Sequence, residues 1–271
     1  MVETNKSESA KVLQQMWRET ISFSLNMVYP RTCLSCDVLI EAKDSGPKMD
    51  RWLCPDCRRQ LNPIQPPFCS ICGEPFLGKI DQPFLCPNCD GRRMAFDYAI
   101  SAYKAEGPLR ELIHQFKYRR DLALRGVLAH AISIALQDSR LTSENLSDWM
   151  LVPVPLHWSR ELYRGFNQSW ELCRQLSKDT GIEPQALLRR SRRTPRQVRL
   201  SRNQRLENMR GVFAPSYGGW LSQKILPKKN WPNVLLIDDV LTTGATAHEC
   251  ARVLRSHFGV QKVVVITAAR A

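Results

Sequence analysis

Residues 234–246 read VLLIDDVLTTGAT, and the architecture of the larger part of the chain follows from this run. Val234, Leu235, Leu236 and Ile237 are continuously apolar, the mark of a strand buried on both faces of a parallel sheet. The run ends on two adjacent carboxylates, Asp238 and Asp239. Ligands of open α/β sheets bind at this end of a strand. Thr242, Thr243, Gly244, Ala245 and Thr246 then open a helical pattern. Backbone N–H groups at a helix start, threonine hydroxyls and a permissive glycine make a phosphate cradle. Two carboxylates cannot face a phosphate unaided, but they suit ribose hydroxyls, directly or through Mg²⁺. The run therefore asks for a sugar phosphate, with the diol on the acids and the 5′-phosphate on the loop.

The flanking sequence supports an α/β fold with a mostly parallel, twisted sheet flanked by helices. Strands are expected at 96–103 (FDYAISAY), 150–156 (MLVPVPL), 233–238 and 262–268 (KVVVITA). Helical spacing of apolar residues predicts helices after Gly107-Pro108, over 124–135, over 167–176 and over 243–257. Residues 138–148 are polar and read as a loop. Residues 11–28 carry Leu13, Trp17, Ile21, Leu25 and Val28 at helical spacing, with too few cations for a membrane-surface helix.

Cysteine spacing defines a second region. Eight of the ten cysteines form Cys-x-x-Cys pairs within 57 residues: Cys33/Cys36, Cys54/Cys57, Cys69/Cys72 and Cys86/Cys89. The intervening gaps of 17 and 13 residues resemble zinc-ribbon or treble-knuckle spacings. All-cysteine sites are closed and structural, and two Zn²⁺ ions would supply folding free energy that this core-poor segment lacks. Sequential and interleaved pairing both fit the spacing. Cys173 and Cys250 fall on apolar helix faces and read as buried small hydrophobes. The expected organisation is an N-terminal helix over 1–29, a double zinc-ribbon module over 30–92 and an α/β domain over 93–271.

The net charge of +13 calls for an anionic partner. No signal peptide and no membrane-spanning run is legible, and paired cysteines of this kind suit a reducing compartment, so a cytoplasmic protein is expected. Residues 189–210 concentrate nine arginines against one acid, Glu207, with Ser201 and Gln204 spaced for a short capped helix. That stretch serves either an anionic small molecule or nucleic acid. It contains no aromatic residue for base stacking.

The 234–246 run resembles the phosphoribosyl pyrophosphate signature of type I phosphoribosyltransferases. VPVPL at 152–156 with RGFNQS at 164–169 is similar to the ComF (competence protein F, GntX-like) family. So are Thr194-Pro195, Gln197, Leu200-Ser201, Arg205, Asn208 and Phe213, and GPLRELIH at 107–114 with Phe116-Lys117. The resemblance extends over roughly residues 30–270, cysteine pairs included.

What it implies can be placed on this sequence. Asp238 and Asp239 would fix the ribose as C1 gains oxocarbenium character, while Thr242–Thr246 hold the 5′-phosphate. Arg160, Arg164, Gly165 and Asn167, in a loop over 157–167, would bind the pyrophosphate, with Arg164 counted among the catalytic groups. Arg199 and Arg205 belong to a stretch, 196–210, that corresponds to a mobile loop closing over Mg²⁺–phosphoribosyl pyrophosphate. The acceptor nucleophile is not named by any motif. The resemblance also implies a role in bringing single-stranded DNA into the cytoplasm with a helicase-like partner. Two alternatives are a non-enzymatic zinc protein of DNA uptake and a nucleotide-sensing regulator. Related folds often pair, which makes a homodimer one expected state.

Overall fold

The structure is a computed structural model that describes residues 30–40, 48–76, 78, 80, 82–192, 208–216 and 233–271. The helix expected over 11–28, the capping pair Ser201 and Gln204 and the closing-loop arginines Arg199 and Arg205 lie outside the described residues. The chain divides into two compact units, Met1–Arg59 and Gln60–Ala271.

In the first unit, the described residues form two cysteine knuckles and a short helix, α1 (Pro55–Arg59). Asp37, with φ 59°, turns the first knuckle, and its amide donates to the Cys33 carbonyl at 2.9 Å. The Leu34 amide donates to the Trp52 carbonyl at 2.9 Å and ties the two knuckles together.

The second unit is built on four parallel strands in the order β1-β6-β5-β2. These are β1 (Tyr98–Lys104), β2 (Trp149–Pro153), β5 (Asn233–Leu241) and β6 (Val263–Arg270). Every residue of the central strand β6 is buried, as its unbroken apolar run requires. Helices α2 (Gly107–Tyr118), α3 (Arg125–Ala135), α5 (Trp158–Arg164), α6 (Gln168–Thr180) and α7 (Ala245–Phe258) fill the connections. Helices α3 and α6 pack together against β6 and β5. Val234, Leu236, Val263 and Val265 pack instead with Ala247, Cys250, Ala251 and Leu254 of α7. The alternation is the period-two pleat of a sheet covered on both faces.

Three segments depart from expectation. Residues 138–148 hold α4 (Ser139–Thr142) and a 3₁₀ turn, Leu146–Asp148, because Asp138 and Asn145 accept from Arg140 N and Ser147 N and cap both. Residues 157–167 are not a loop: α5 starts at a His157 cap and stops at Gly165, with φ 84°. The start of the arginine stretch is a strand, β3 (Leu188–Arg190), antiparallel to β4 (Phe213–Pro215).

Candidate functional site

Strand β2 stops at Pro153, opposite Ile237. Strand β5 runs on beyond it, so Asp238 and Asp239 emerge beside a crevice left by the end of β2. Asn167 closes the near side. Its side-chain oxygen accepts from Ser169 N at 3.1 Å and its Nδ2 donates to the Val154 carbonyl at 3.3 Å, fastening the start of α6 to the chain beyond β2. The result is a cleft of about 200 Å³.

Its lining gathers residues from distant parts of the sequence. Asp238 and Asp239 come from β5, Thr242 from the loop beyond it and Thr246 from the first turn of α7, while Arg160, Arg164 and Asn167 come from the α5–α6 segment. Gly165 serves instead as the left-handed cap of α5, and Thr243, Gly244 and Ala245 form the turn into α7 without lining the cleft. Gly244 has φ 76°, and a Cβ there would meet the Phe96 ring at 3.6 Å.

Four polar or charged lining residues were not among the expected site residues: Lys117, Gln168, Ser169 and Arg190. Lys117, on α2, places Nζ 2.8 Å from Asp239 Oδ1. Ser169 Oγ donates to Asp238 Oδ1 at 3.0 Å. Burial and the neighbouring Asp239 carboxylate push Asp238 up to about 7, while Lys117, the Asp239 amide and Ser169 pull against them. Arg190 enters from β3; burial and the charge of Arg160 bring it down to about 10, so it stays cationic at neutral pH. Gln168 is buried, and its Oε1 accepts from Arg164 Nη1 at 2.9 Å. Its Nε2 is buried without a hydrogen-bond partner. A buried donor of this kind is costly unless a ligand completes it. Four cations thus surround two acids, a charge excess suited to a polyanion that also carries hydroxyls.

The cysteines assemble sequentially. Cys33, Cys36, Cys54 and Cys57 form one cluster and Cys69, Cys72, Cys86 and Cys89 another, with the sulfurs of each within 4.8 Å of one another. Interleaved pairing is excluded. Zn–S bonds of about 2.3 Å in a tetrahedron set sulfurs about 3.8 Å apart. Cys36 and Cys54 Sγ are 3.6 Å apart and Cys72 and Cys86 Sγ 3.5 Å, so both sets fit zinc. The Cys57 amide points at Cys54 Sγ from 3.4 Å, supporting a thiolate. In the second cluster a hydrogen bond from Cys89, the Glu74 amide and the Arg270 charge hold Cys72 down to about 4 against its burial. Cys173 and Cys250 are fully buried in the helices of the second unit, as expected of small apolar side chains.

The second cluster is anchored to the sheet. Arg270, at the end of β6, donates from Nε to the Cys72 carbonyl at 3.2 Å and from Nη1 to the Leu241 carbonyl at 3.2 Å. Its Nη2 lies 3.9 Å from Cys72 Sγ and pairs with Glu74. One guanidinium therefore ties a zinc knuckle to the residue before Thr242. Ile71 and Met94 pack against both the cysteine cluster and the core that includes Phe96 and Ala245.

Comparison with known proteins agrees with this geometry. Residues 24–90 match the model of the double zinc ribbon domain. Competence protein F of Haemophilus influenzae is 30% identical over 240 residues, covering 88% of this chain and 96% of that protein. The chain belongs to the competence protein F family. Within reach of the same family are the DNA utilization protein YhgH of Salmonella typhimurium, 31% identical over 219 residues (74% of this chain, 90% of that protein), and competence protein ComFC of Bacillus subtilis, 29% identical over 220 residues (76% and 79%). Among the described residues, no helix is long and apolar enough to cross a membrane.

Proposed function

We propose that the cleft binds Mg²⁺–phosphoribosyl pyrophosphate and that the protein is a phosphoribosyltransferase-type member of the competence protein F family. The observation that carries this reading is the convergence, in one cleft, of an acid pair, two threonines and four cations around a buried amide donor with no partner. Asp238 and Asp239 offer hard oxygen donors to the ribose diol and to Mg²⁺. Thr242 and Thr246, at the start of α7, face the 5′-phosphate. Arg160, Arg164 and Arg190 supply forked donors for pyrophosphate, and Gln168 Nε2 adds a neutral one. Bound with the ligand, Mg²⁺ would neutralise phosphate charge that these side chains leave uncompensated.

Reaction at C1 needs positive charge to be tolerated at the ribose and negative charge to be accepted at the leaving group. The two acids come from β5 and the arginines from α5 and β3, so the cleft offers both kinds of group that such a transfer requires. The incoming nucleophile is left open by this arrangement. The cellular setting suggested by the relatives' names is competence and DNA utilization, and this chain is assigned the same setting, in the cytoplasm, with single-stranded DNA and a helicase-like partner.

Calorimetric titration with phosphoribosyl pyrophosphate and Mg²⁺ tests the reading. The natural chain is expected to bind, and Asp238→Asn/Asp239→Asn to bind at least tenfold more weakly. Absence of binding by the folded, zinc-loaded natural chain would overturn it.

A further inference from the structure

Large exposed apolar side chains are unevenly spread over the described residues. Five of the nine lie in two stretches: Tyr118 and Leu122 at and after the end of α2, and Trp158, Leu162 and Tyr163 on α5. Trp158, Leu162 and Tyr163 are 70%, 77% and 64% exposed. Trp158 and Leu162 stand one helical turn apart and share a face. The two stretches meet. The Arg120 guanidinium lies over the Tyr163 ring at 5.4 Å, and that of Arg164 over Tyr118 at 5.4 Å. Arg120 takes φ 61°, a left-handed conformation that non-glycine residues rarely adopt, and from it the side chain reaches across to α5.

Cations are interleaved with these rings. Arg119 and Arg120 are exposed at the end of α2, and Arg160 and Arg164 project from α5. The acids on the same segments are Asp121, which caps its own turn by accepting from Ala123 N at 2.9 Å, and Glu161. Exposed rings among arginines are the elements of a sequence-tolerant single-strand site: bases stack on the rings and phosphates pair with the cations. A second copy of the chain fits this face poorly, because two-fold pairing would bring the same arginines together.

We propose that this face, formed by α5 and the end of α2, binds single-stranded nucleic acid, with bases stacked on Trp158 and Tyr163 and phosphates held by Arg119 and Arg120. Neither aromatic lines the acid-pair cleft, so the proposal stands independently of the sugar-phosphate reading. Arg164 belongs to both, lining the cleft and stacking on Tyr118. A strand on this face therefore passes the mouth of the cleft.

Fluorescence anisotropy with a labelled oligothymidylate, on the zinc-loaded full chain, tests the assignment. Trp158→Ala/Tyr163→Ala is expected to weaken binding by about tenfold or more while keeping the thermal midpoint. Tyr163→Phe, which preserves the ring, keeps the affinity. Arg119→Ser/Arg120→Ser lowers the slope of log affinity against log salt by about 1.4, whereas the aromatic pair leaves that slope unchanged. Unchanged affinity in the aromatic double variant overturns the proposal. So does a natural chain that sediments as a dimer and becomes monomeric in that variant with its nucleic-acid affinity intact, since the face would then belong to a second copy.

Discussion

Replacing Arg270 by methionine probes the joint between the second zinc knuckle and the sheet. The side chain is 2% exposed, and the methionine stem refills much of its volume without its donors. Two buried carbonyls, those of Cys72 and Leu241, then lose the guanidinium. The Cys72 carbonyl is then a buried acceptor without its partner, at a cost of about 1–3 kcal/mol, whereas the Leu241 carbonyl keeps its bond from the Ala271 amide at 2.9 Å and loses less. Relief from burying the guanidinium itself offsets part of this. The Glu74 pair adds little, because that carboxylate is well solvated, with 38% of its side chain exposed. The expected loss is therefore about 1–3 kcal/mol, read from urea denaturation of the zinc-loaded chain. Arg270→Lys keeps the charge but cannot fork between Cys72 and Leu241, and is expected to recover less than half of the loss. Because Leu241 precedes the threonine loop, Arg270→Met should also weaken Mg²⁺–phosphoribosyl pyrophosphate binding. A stability change below about 1 kcal/mol with unaltered zinc content would refute the view that this guanidinium is the joint.

Three further outcomes are expected. Gly244→Ala places an L side chain at φ 76° in ordinary contact with the Phe96 ring; backbone strain alone should cost about 1–2 kcal/mol in thermal denaturation, with weaker phosphate binding by calorimetry. Cys36→Ser and Cys72→Ser should each lower the zinc content from two ions to one by colorimetric release, but only Cys72→Ser, which acts on the unit spanning Gln60–Ala271, should lower the unfolding midpoint of the sheet. Asp238, raised from 3.8 to about 7, holds its proton more tightly in the folded chain than in the unfolded one. Its stabilising contribution is full below about pH 4 and is lost as pH rises through about 7. Lys117→Met removes a cation that opposes this shift, so in magnesium-free buffer the loss should extend to higher pH, visible as a steeper fall in midpoint between about pH 6 and 9 than in the natural chain.

The parts of this molecule legible in its sequence are those where one local run meets one physical demand. The run 233–238 is a strand because only burial on both faces suits so continuous an apolar stretch, and its flanking acids and threonines locate a cleft by position alone. Cysteine spacing is local in the same sense, since a two-residue gap delivers both thiolates of a knuckle to one ion. Helix α5 was hidden because its large apolar residues, Trp158, Leu162 and Tyr163, face solvent. Periodicity finds helices through a buried face, and here only His157 and Gly165 mark the ends. Lys117 was hidden for another reason: 122 positions separate it from Asp239, and nothing in the local sequence around either residue records their ion pair. Arg270 and Cys72 are 198 positions apart, and their hydrogen bonds help make the second cysteine cluster part of the sheet unit. A local pattern fixes which chemistry a segment can offer. Which segments are brought to one cleft, and with what net charge, is settled by packing between elements. The acids of this cleft were therefore readable, while two of the four cations that decide which ligand they accept were not.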